Sequence, residues 1–257
     1  MRFASLGSGS EGNGLVVEKN ATRLLMDCGF GLKDSIERLG KQGLTPEDLT
    51  GILVTHEHDD HSGSAFKLAN KFRLPVWLTY GTLKMIERSL PGSHNVKINL
   101  IDSHQPFIIG DIEVHPFPVP HDAREPVQFT FSDGVRKLGV LTDTGTSTPH
   151  IETMLNCCDA LVLECNHDLD MLMNGPYAWH LKKRVSGRFG HLDNATSASL
   201  LKALDLSKLQ HIIGAHLSAK NNKPELVTRL LSEVLGCEEE WVAIADQATG
   251  FGWRTII

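Results

Sequence analysis

One six-residue segment limits what this chain can fold into more than any other feature. The apolar run Gly51–Thr55 is typical of a buried strand, and His56-Glu57-His58-Asp59-Asp60-His61 follows it directly. The pattern His-x-His-x-Asp-His places four groups that bind borderline metal ions within six residues. An ordinary solvated turn would not require three histidines. The pattern therefore predicts an irregular loop at the end of a strand, with its side chains turned toward a metal-binding cavity.

Three more residues of the same chemical type stand where apolar runs stop. His121 follows Val114–Pro120, Asp143 follows Leu138–Thr142, and His216 follows His211–Ala215. Taken singly, each would more often be a loop residue with satisfied polar atoms than a metal ligand. Because rigid strands position the side chains that follow them, the three residues and the six-residue segment together predict one shared site.

Apolar runs recur along the chain, and helical patterns separate several of the later ones. The predicted strands are Arg2–Leu6, Gly14–Glu18, Arg23–Asp27, Gly51–Thr55, Pro75–Leu78, Ile112–Val119, Val127–Phe131, Lys137–Thr142, Ala160–Glu164, Gln210–Ala215 and Trp241–Ala245. The predicted helices are Leu32–Leu39, Ser64–Phe72, Thr82–Leu90, Pro149–Cys157, Ala195–Leu204 and Pro224–Leu235. Hairpins followed by helix-linked strands predict an α/β (α+β) fold of two face-to-face sheets with helices outside, a four-layer αββα sandwich.

No low-complexity tract, internal repeat or long linker marks a second domain, so we expect one domain over residues 1–257. Segment 168–193 mixes Gly, Pro, Trp and basic residues without clear periodicity. It is the expected lid or insertion.

The composition excludes several classes of protein. With 41% hydrophobic and 22% charged residues, the chain resembles an ordinary globular protein. No apolar stretch approaches the ~18 residues of a membrane span, and no export signal is visible. Five cysteines, two of them adjacent, suit a reducing compartment, so we expect a cytoplasmic protein without a membrane partner. A net charge of −6 argues against nonspecific coating of nucleic acid, although a basic patch beside a metal site could hold phosphates.

These residues resemble the metallo-β-lactamase superfamily, whose motif order matches Asp27, His56–His61, His121, Asp143 and His216. The resemblance implies a metallo-β-lactamase sandwich that binds two divalent metal ions, Zn²⁺ or Mn²⁺. One ion would be held by His56, His58 and His121. The other would be held by Asp60, His61 and His216, with Asp143 bridging the two ions. Asp27 matches a residue that supports the metal loop without binding metal.

A finer resemblance is to the YycJ/WalJ-like group of this superfamily. It rests on the segments Leu6-Gly7-Ser8-Gly9-Ser10-Glu11-Gly12-Asn13, Glu164-Cys165-Asn166-His167-Asp168, Gly190-His191-Leu192 and His216-Leu217-Ser218 with Asn221-Asn222. The group is nuclease-like, which implies a nucleic-acid substrate, with DNA the expected one. In that group a Ser follows Gly-His-Leu, whereas this chain has Asp193 at the same position. The departure affects one substrate or orienting contact, while Asp remains a good N-cap for the helix Ala195–Leu204.

The implied chemistry is hydrolysis of a phosphodiester. Two metal ions about 3.5–4 Å apart can share a hydroxide, neutralise the phosphodiester and stabilise the oxygens of an in-line displacement. The bridging hydroxide is therefore the expected nucleophile. The leaving alkoxide needs a proton, and a histidine that binds no metal is the natural donor. Guided by the resemblance, we predict His191 as this general acid over a spare ligand or surface histidine; His191 and Asp60 are the candidate catalytic residues.

Two pairs of residues are candidates for contacts with the substrate or with the ligands. Lys183 and Arg184 belong to a basic cluster with Lys182 and Arg188. This cluster could steer an anionic substrate, although a solvated surface is at least as common a role for it. Glu164 and His167 lie at the end of a predicted strand, where they could orient a metal-bound imidazole or be simply solvated.

The Ser8–Asn13 loop, rich in Gly and Ser, could present backbone N–H groups to a phosphate or form a hairpin turn. Cys165 is expected to be a small buried side chain and not a nucleophile. Trp179 could stack on a base, but packing is the expected role.

Three alternatives stay open at this point. A thioester or lactam hydrolase would use the same metal ions and differ only in its substrate pocket. A redox di-iron protein of this fold typically replaces the second histidine by Glu, and His58 is intact here. A noncatalytic binding protein would be expected to lack some ligands, and every expected ligand is present.

Overall fold

The computed structural model describes residues 1–89 and 95–257. Within these ranges the strands are β1 (Arg2–Gly7), β2 (Gly14–Lys19), β3 (Thr22–Met26), β4 (Gly51–Leu53), β5 (Val76–Leu78), β6 (Ile98–Leu100), β7 (Phe107–Ile109), β8 (Ile112–Pro118), β9 (Val127–Ser132), β10 (Lys137–Leu141), β11 (Ala160–Glu164), β12 (His211–Ala215), β13 (Val242–Ile244) and β14 (Phe251–Thr255). They form two sheets, ordered β14-β1-β2-β3-β4-β5-β6 and β13-β12-β11-β10-β9-β8-β7.

Helices connect many of the strands. They are α1 (Leu32–Lys41), α2 (Asp59–Ser62), α3 (Ala65–Phe72), α4 (Tyr80–Ser89), α5 (Pro149–Leu155), α6 (Leu169–Asn174), α7 (Trp179–Val185), α8 (Asn194–Ala203) and α9 (Pro224–Leu235). Short 3₁₀ turns occupy Pro46–Asp48 and Glu239–Trp241. No helix in the described ranges has both the length and the apolar character needed to cross a membrane.

Successive side chains along a strand lie in different hydrophobic cores. Leu24 and Met26 of β3 share a buried core with Phe129 and Val140 of the second sheet. Leu25, between them, packs in a separate core with side chains of α1 and α3. A third core joins the outer face of the second sheet to α5, α8 and α9. Because successive strand residues point to opposite faces, both sheets are covered on both sides, and the predicted αββα sandwich is confirmed.

The direction of the strands explains where the polar residues meet. In the first sheet β3, β4 and β5 run parallel, and β1 shares their direction because β2 pairs antiparallel with both β1 and β3. In the second sheet β10, β11, β12 and β13 run parallel, and β8 shares their direction through antiparallel β9. The carboxyl ends of these strands lie at one edge of each sheet. The chain leaves that edge at the positions of all the predicted metal ligands.

The structure differs from the predicted elements in several places. The strands β6, β7 and β14 were not predicted, and β14 interrupts its apolar pattern with Gly252 and Arg254. The helix predicted over Thr82–Leu90 starts earlier, at Tyr80, and Leu90 lies outside the described residues. Segment 168–193 contains the helices α6 and α7, which at six and seven residues are too short to display a reliable helical period.

Gly29 lies where three loops interlock at this edge. Cys28 N donates to the His61 carbonyl at 2.8 Å, Asn13 N donates to the Asp60 carbonyl at 2.8 Å, and Gly29 N donates to the Asn13 carbonyl at 3.0 Å. A Cβ atom on Gly29 would overlap the Asp60 carbonyl group. The absence of a side chain at Gly29 therefore lets the metal loop approach the end of β3.

We expect Gly29→Ala to displace the metal loop and to destabilise the protein, because the added methyl group meets backbone that cannot easily retreat. Overpacking of this kind costs roughly 1–3 kcal/mol. Thermal unfolding and metal content of the purified variant measure the two effects. Gly252→Ala is the matched control, since its methyl group would meet no atom within 4 Å. A Gly29→Ala protein that unfolds like the control and keeps its metal would contradict this interpretation.

Candidate metal centre

The loop after β4 changes direction within a few residues. His56 and His58 precede α2, and His58 is the N-cap residue of that helix with extended dihedral angles. Asp60 and His61 lie in the first turns of α2, where His61 N donates to the His58 carbonyl at 3.0 Å. The extended half and the helical half of the loop thus direct their side chains to neighbouring positions. This arrangement splits the predicted ligands into two groups.

The first group consists of three imidazoles. The Nε2 atom of His56 lies 3.0 Å from Nδ1 of His58, and Nε2 of His121 lies 3.3 Å from the same Nδ1 atom. A tetrahedral zinc ion with bonds of 2.0–2.1 Å to nitrogen would separate its ligand atoms by about 3.3 Å. The spacing of the three nitrogens therefore fits one metal ion.

The second group combines two imidazoles with two carboxylates. The Nε2 atom of His61 lies 2.9 Å from Oδ2 of Asp143 and 3.6 Å from Oδ2 of Asp60. The Nε2 atom of His216 lies 3.4 Å from Oδ1 of Asp143 and 3.5 Å from Oδ2 of Asp60. Asp143 also faces the first group, with Oδ1 4.0 Å from Nε2 of His121. The structure thus brings all seven predicted ligands together.

Nε2 of His216 is buried and has no hydrogen-bond partner within the described residues, and buried Oδ2 of Asp143 has only the 2.9 Å ion-pair contact with Nε2 of His61. Buried polar atoms are nearly always satisfied, so unsatisfied ones call for a ligand. Imidazole nitrogen and carboxylate oxygen are the donors that Zn²⁺ and Mn²⁺ accept. The residues present therefore fit a divalent metal centre.

Three residues of the site adopt a backbone conformation that L-amino acids rarely occupy. Asp27, Asp143 and His216 have φ angles of 62°, 52° and 55°. Each follows a strand end, so the left-handed residue turns the chain sharply and directs its own side chain into the cavity. Such conformations cost of order 1–3 kcal/mol each and persist where the surrounding structure enforces them.

Asp27, for which the resemblance implied a supporting role, contacts Thr55 and His61. Its carboxylate is 2% exposed and accepts hydrogen bonds from N and Oγ1 of Thr55, each at 2.9 Å. Its Oδ2 atom lies 2.8 Å from Nδ1 of His61, which leaves Nε2 of that ring to face Asp143. Thr55 also contacts Nδ1 of His56 at 2.9 Å, a role that its place at the end of an apolar run did not reveal.

The Ser8–Asn13 loop contacts the ligands from the other side. Nδ2 of Asn13 lies 3.1 Å from Nε2 of His61, and Ser8 Oγ accepts from the backbone N of His216 at 3.0 Å. The suggested phosphate cradle is wrong for most of this loop. The backbone N–H groups of Ser8, Gly9, Glu11, Gly12 and Asn13 all donate to other groups of the protein. The loop therefore positions ligands and offers few free donors to an anion.

Glu164 joins the end of β11 to His191. Its fully buried carboxylate accepts from the backbone N of Thr144 at 3.0 Å and of Leu192 at 3.2 Å. Its Oε1 atom lies 2.8 Å from Nδ1 of His191 and 3.6 Å from Nδ1 of His216. Asp143, Glu164, His191 and His216 are thus close enough to form a third potential metal-binding group. The position of His191 is consequently compatible with the predicted role of proton donor and also with the alternative role of a spare ligand.

The structure does not bring His167 into contact with a ligand. The ring is buried, its Nδ1 atom lies 3.3 Å from Asn166 Oδ1, and its Nε2 atom has no partner within the part of the chain described. Asn166 makes the contact instead, with Nδ2 3.2 Å from Nδ1 of His216 and donating to the His216 carbonyl at 2.9 Å. The sequence analysis named Glu164 and His167 at this strand end because the strand opens toward the predicted ligands, and it assigned no role to the amide of Asn166.

The basic cluster lies at the rim of the site. Arg184 Nε is 2.6 Å from Oδ2 of Asp122, so the charge of Arg184 is already compensated. The other oxygen of that carboxylate, Oδ1, lies 3.5 Å from Nε2 of His121. Lys183 lies over the ring of Trp179, 5.2 Å from its centroid. Trp179 is 63% exposed, so the expectation that it packs in the interior is wrong.

Other neighbouring residues behave as predicted. Asp193 caps α8 by accepting from the backbone N of Thr196 at 3.0 Å, so its carboxylate serves the helix. Burial raises the pKa of Cys165 to about 12, which removes it as a nucleophile.

Burial and neighbouring charges shift the pKa values of the histidines of the site in different directions. Burial lowers the pKa of His56 well below its usual range, and the neighbouring His61 adds to the effect. Burial also disfavours a charged His61, but the carboxylates of Asp143 and Asp27 outweigh it and raise the pKa of His61 well above its usual range. For His191, burial is similarly outweighed by Glu164, which raises the pKa to about 9. Negative charge is thus concentrated on the second group of ligands, where a cation would replace the protons.

Comparison with known proteins identifies the class. The sequence profile described as Beta-lactamase superfamily domain matches residues 22–216, which is more than half of the chain. The chain belongs to this superfamily. Its fold, the candidate metal-binding residues and this match together define a hydrolase of the metallo-β-lactamase fold.

Two relatives and one solved structure are similar to most of the chain. Exodeoxyribonuclease YycJ of Bacillus anthracis is 38% identical over 255 residues, which cover 96% of this chain and 92% of that protein. Exodeoxyribonuclease WalJ of Streptococcus pneumoniae serotype 2 is 33% identical over 233 residues, covering 88% of this chain and 84% of that protein. Among solved structures, the metallo-β-lactamase fold protein YhfI of Bacillus subtilis matches with a TM-score of 0.76 over 99% of both chains, at 17% identity. The resemblance to the YycJ/WalJ-like group is confirmed.

We expect Asp27→Asn to weaken metal binding about 10- to 100-fold, the usual effect of losing a group that orients a ligand. Asn tolerates the left-handed backbone of Asp27, so the substitution removes the charge without adding strain. Chelator competition measures the metal affinity. Asp111→Asn is the matched control, because Asp111 accepts a hydrogen bond from Thr22 in a turn at the opposite edge of the sheets. An unchanged affinity in Asp27→Asn would show that Asp27 does not orient His61.

Proposed function

We propose that this chain hydrolyses phosphodiester bonds of DNA as an exonuclease, with two divalent metal ions held by the seven side chains described above. One observation carries the proposal: the Asp143 carboxylate stands between the two ligand groups, with an oxygen toward His61 at 2.9 Å and the other 3.4 Å from His216 and 4.0 Å from His121. A carboxylate in that position suits a bridge between two ions. The number of ions and their identity, Zn²⁺ or Mn²⁺, belong to this proposal.

The choice of DNA rests on relatives. Two proteins that match most of this chain carry the name exodeoxyribonuclease. A thioester or lactam hydrolase is the runner-up, because it would need the same ligands.

We also propose that residues 1–257 act as one domain in which segment 168–193 forms the rim of the site. The five cysteines form no disulfide, which supports a reducing compartment such as the cytoplasm.

Each group of the site has a distinct task in this proposal. Two bound cations would neutralise the phosphodiester and make a water molecule a stronger nucleophile. Asp60 is the more open of the two carboxylates among the seven candidate ligands, with its side chain 24% exposed against 3% for Asp143. It is therefore placed to orient the attacking water toward the phosphorus atom.

His191 is placed to donate a proton. Glu164 holds its Nδ1 atom at 2.8 Å, and the ring stacks on that of His216 with centroids 5.2 Å apart. The ring is thus fixed in orientation, and its Nε2 atom is left to donate a proton to the oxygen of the departing nucleotide. The His191 side chain is 21% exposed, so a substrate can reach it.

The purified protein should contain two metal ions per chain and should degrade end-labelled DNA, with thioester and β-lactam substrates untouched. Asp143→Ala should hold fewer ions and lose the activity, because the bridging carboxylate is gone. Elemental analysis and a parallel substrate panel measure both.

Removal of the metal by a chelator, followed by its return, is the control for an unfolded preparation. Full activity with one ion per chain, or two ions retained in Asp143→Ala, would disprove the dinuclear site. Thioester turnover without nucleolysis would favour the runner-up function.

His191→Ala should keep its metal ions and lose about 10²- to 10⁴-fold in the rate of DNA cleavage, the typical effect of losing a general acid. Cleavage of bis-p-nitrophenyl phosphate should fall much less, because nitrophenolate departs without a proton. His180→Ala, at an exposed histidine of α7, is the matched control and should behave like the wild type. Loss of a metal ion from His191→Ala would instead identify His191 as a ligand, and equal slowing of both substrates would identify it as a phosphate clamp.

A further inference from the structure

Phe189 is a large apolar side chain that the protein leaves in solvent beside the metal centre. Its side chain is 58% exposed. It is two residues from His191, and the carbonyl of the next residue, Gly190, lies 3.1 Å from Nδ1 of His121. Other aromatic side chains are also exposed, so exposure alone does not distinguish Phe189. Its attachment to backbone that contacts a predicted metal ligand does.

The preceding residue adds a positive charge at the same place. Arg188 is exposed, and within residues 1–89 and 95–257 its guanidinium has no carboxylate or other hydrogen-bond partner. Arg184, by contrast, is paired with Asp122. Of the two arginines in this segment, Arg188 is therefore the one whose charge is uncompensated, and a guanidinium is well suited to hold a phosphate.

The backbone that carries this pair is firmly held. The Arg188 carbonyl accepts from Thr146 Oγ1 at 3.1 Å, Gly190 N donates to the Gly187 carbonyl at 2.8 Å, and His191 N donates to the Val185 carbonyl at 2.8 Å. A Cβ atom on Gly145 would collide with the backbone of Gly187 and Gly190, so the two loops touch directly. An aromatic ring on a rigid support loses little entropy when a flat ligand stacks on it.

We propose that Arg188 and Phe189 form a nucleotide-binding site for an unpaired nucleotide next to the scissile phosphate, with the base stacked on Phe189 and a phosphate held by Arg188. The proposal rests on DNA hydrolysis as the function of the metal centre. A base that is paired within a duplex is stacked between its neighbours and cannot lie against Phe189. A duplex end would therefore have to release its terminal base before that base could stack on Phe189.

The decisive experiment combines a substitution in the protein with the removal of a base from the DNA, and measures all combinations. Wild type and Phe189→Ala are compared on end-labelled single-stranded DNA with every base present, and on matched strands with an abasic residue at either nucleotide flanking the scissile phosphate. Binding is measured in parallel by fluorescence anisotropy with a chelator present, so that cleavage does not interfere.

Phe189→Ala should lower kcat/KM on complete DNA by about 5- to 100-fold, the range for losing one base stack. One of the abasic strands should be cleaved equally slowly by wild type and Phe189→Ala, because the base that would stack is already missing. Phe189→Tyr should restore the rate, whereas Phe189→Leu should not. Arg188→Ala should weaken binding of complete and abasic strands alike and reduce the salt dependence of log Kd by about 0.7.

Trp241→Ala is the matched control, since Trp241 is 40% exposed and precedes β13 at the opposite edge of the sheet. The stacking site is disproved if Phe189→Ala cleaves complete DNA as fast as wild type. It is also disproved if the kcat/KM of Phe189→Ala, relative to wild type, is reduced by the same factor on complete DNA and on every abasic strand. If Trp179→Ala and not Phe189→Ala shows the base-dependent loss, the stacking residue is misassigned. If wild type binds DNA with the predicted base dependence but cleaves none, the nucleotide site stands and the hydrolytic function falls.

Discussion

The carboxylate of Asp143 is the group on which the rest of the site depends. It is 2% exposed and is surrounded by imidazoles of three separate loops, those of His61, His121 and His216. A buried carboxylate is costly unless positive charge or hydrogen-bond donors surround it. The two sheets supply that environment together, because His61 comes from the first sheet and the other two imidazoles come from the second. The sandwich is therefore needed to complete the site as well as to stabilise the chain.

The supports of the ligands follow the same logic on each side of the cavity. Asp27 and Thr55 hold the imidazoles of the first sheet, and Glu164 and Asn166 contact those of the second. Each support is a polar side chain at or just beyond the carboxyl end of a strand. Because the strands are rigid and their cores are well packed, the supports can hold residues with left-handed φ angles at positions where an exposed loop would relax.

The rim of the site differs in character from its floor. The floor is largely buried and consists of imidazoles and carboxylates, whereas α7 and the loop after it expose Trp179, Phe189 and Arg188 to solvent. A cluster of imidazoles and carboxylates is suited to holding divalent metal ions. An exposed combination of aromatic rings and guanidinium is suited to a flexible anionic polymer. The contrast separates the part of the site that performs chemistry from the part that would select the substrate.

The sequence by itself determined the candidate ligands and the sandwich. Each candidate ligand is a His or an Asp within six residues after an apolar run, and residue type and spacing are properties that a sequence displays directly. The tertiary structure alone decided which neighbouring polar residue touches a ligand: Asn166 and not His167, and Thr55, a residue that looked like the end of a strand. It also decided that Trp179 is exposed and that Arg184 is neutralised by Asp122 while Arg188 is not. These outcomes depend on where each loop turns as it leaves its strand. A strand has a period of two that a sequence reveals, whereas an irregular loop directs its side chains by contacts with other loops far away in the chain.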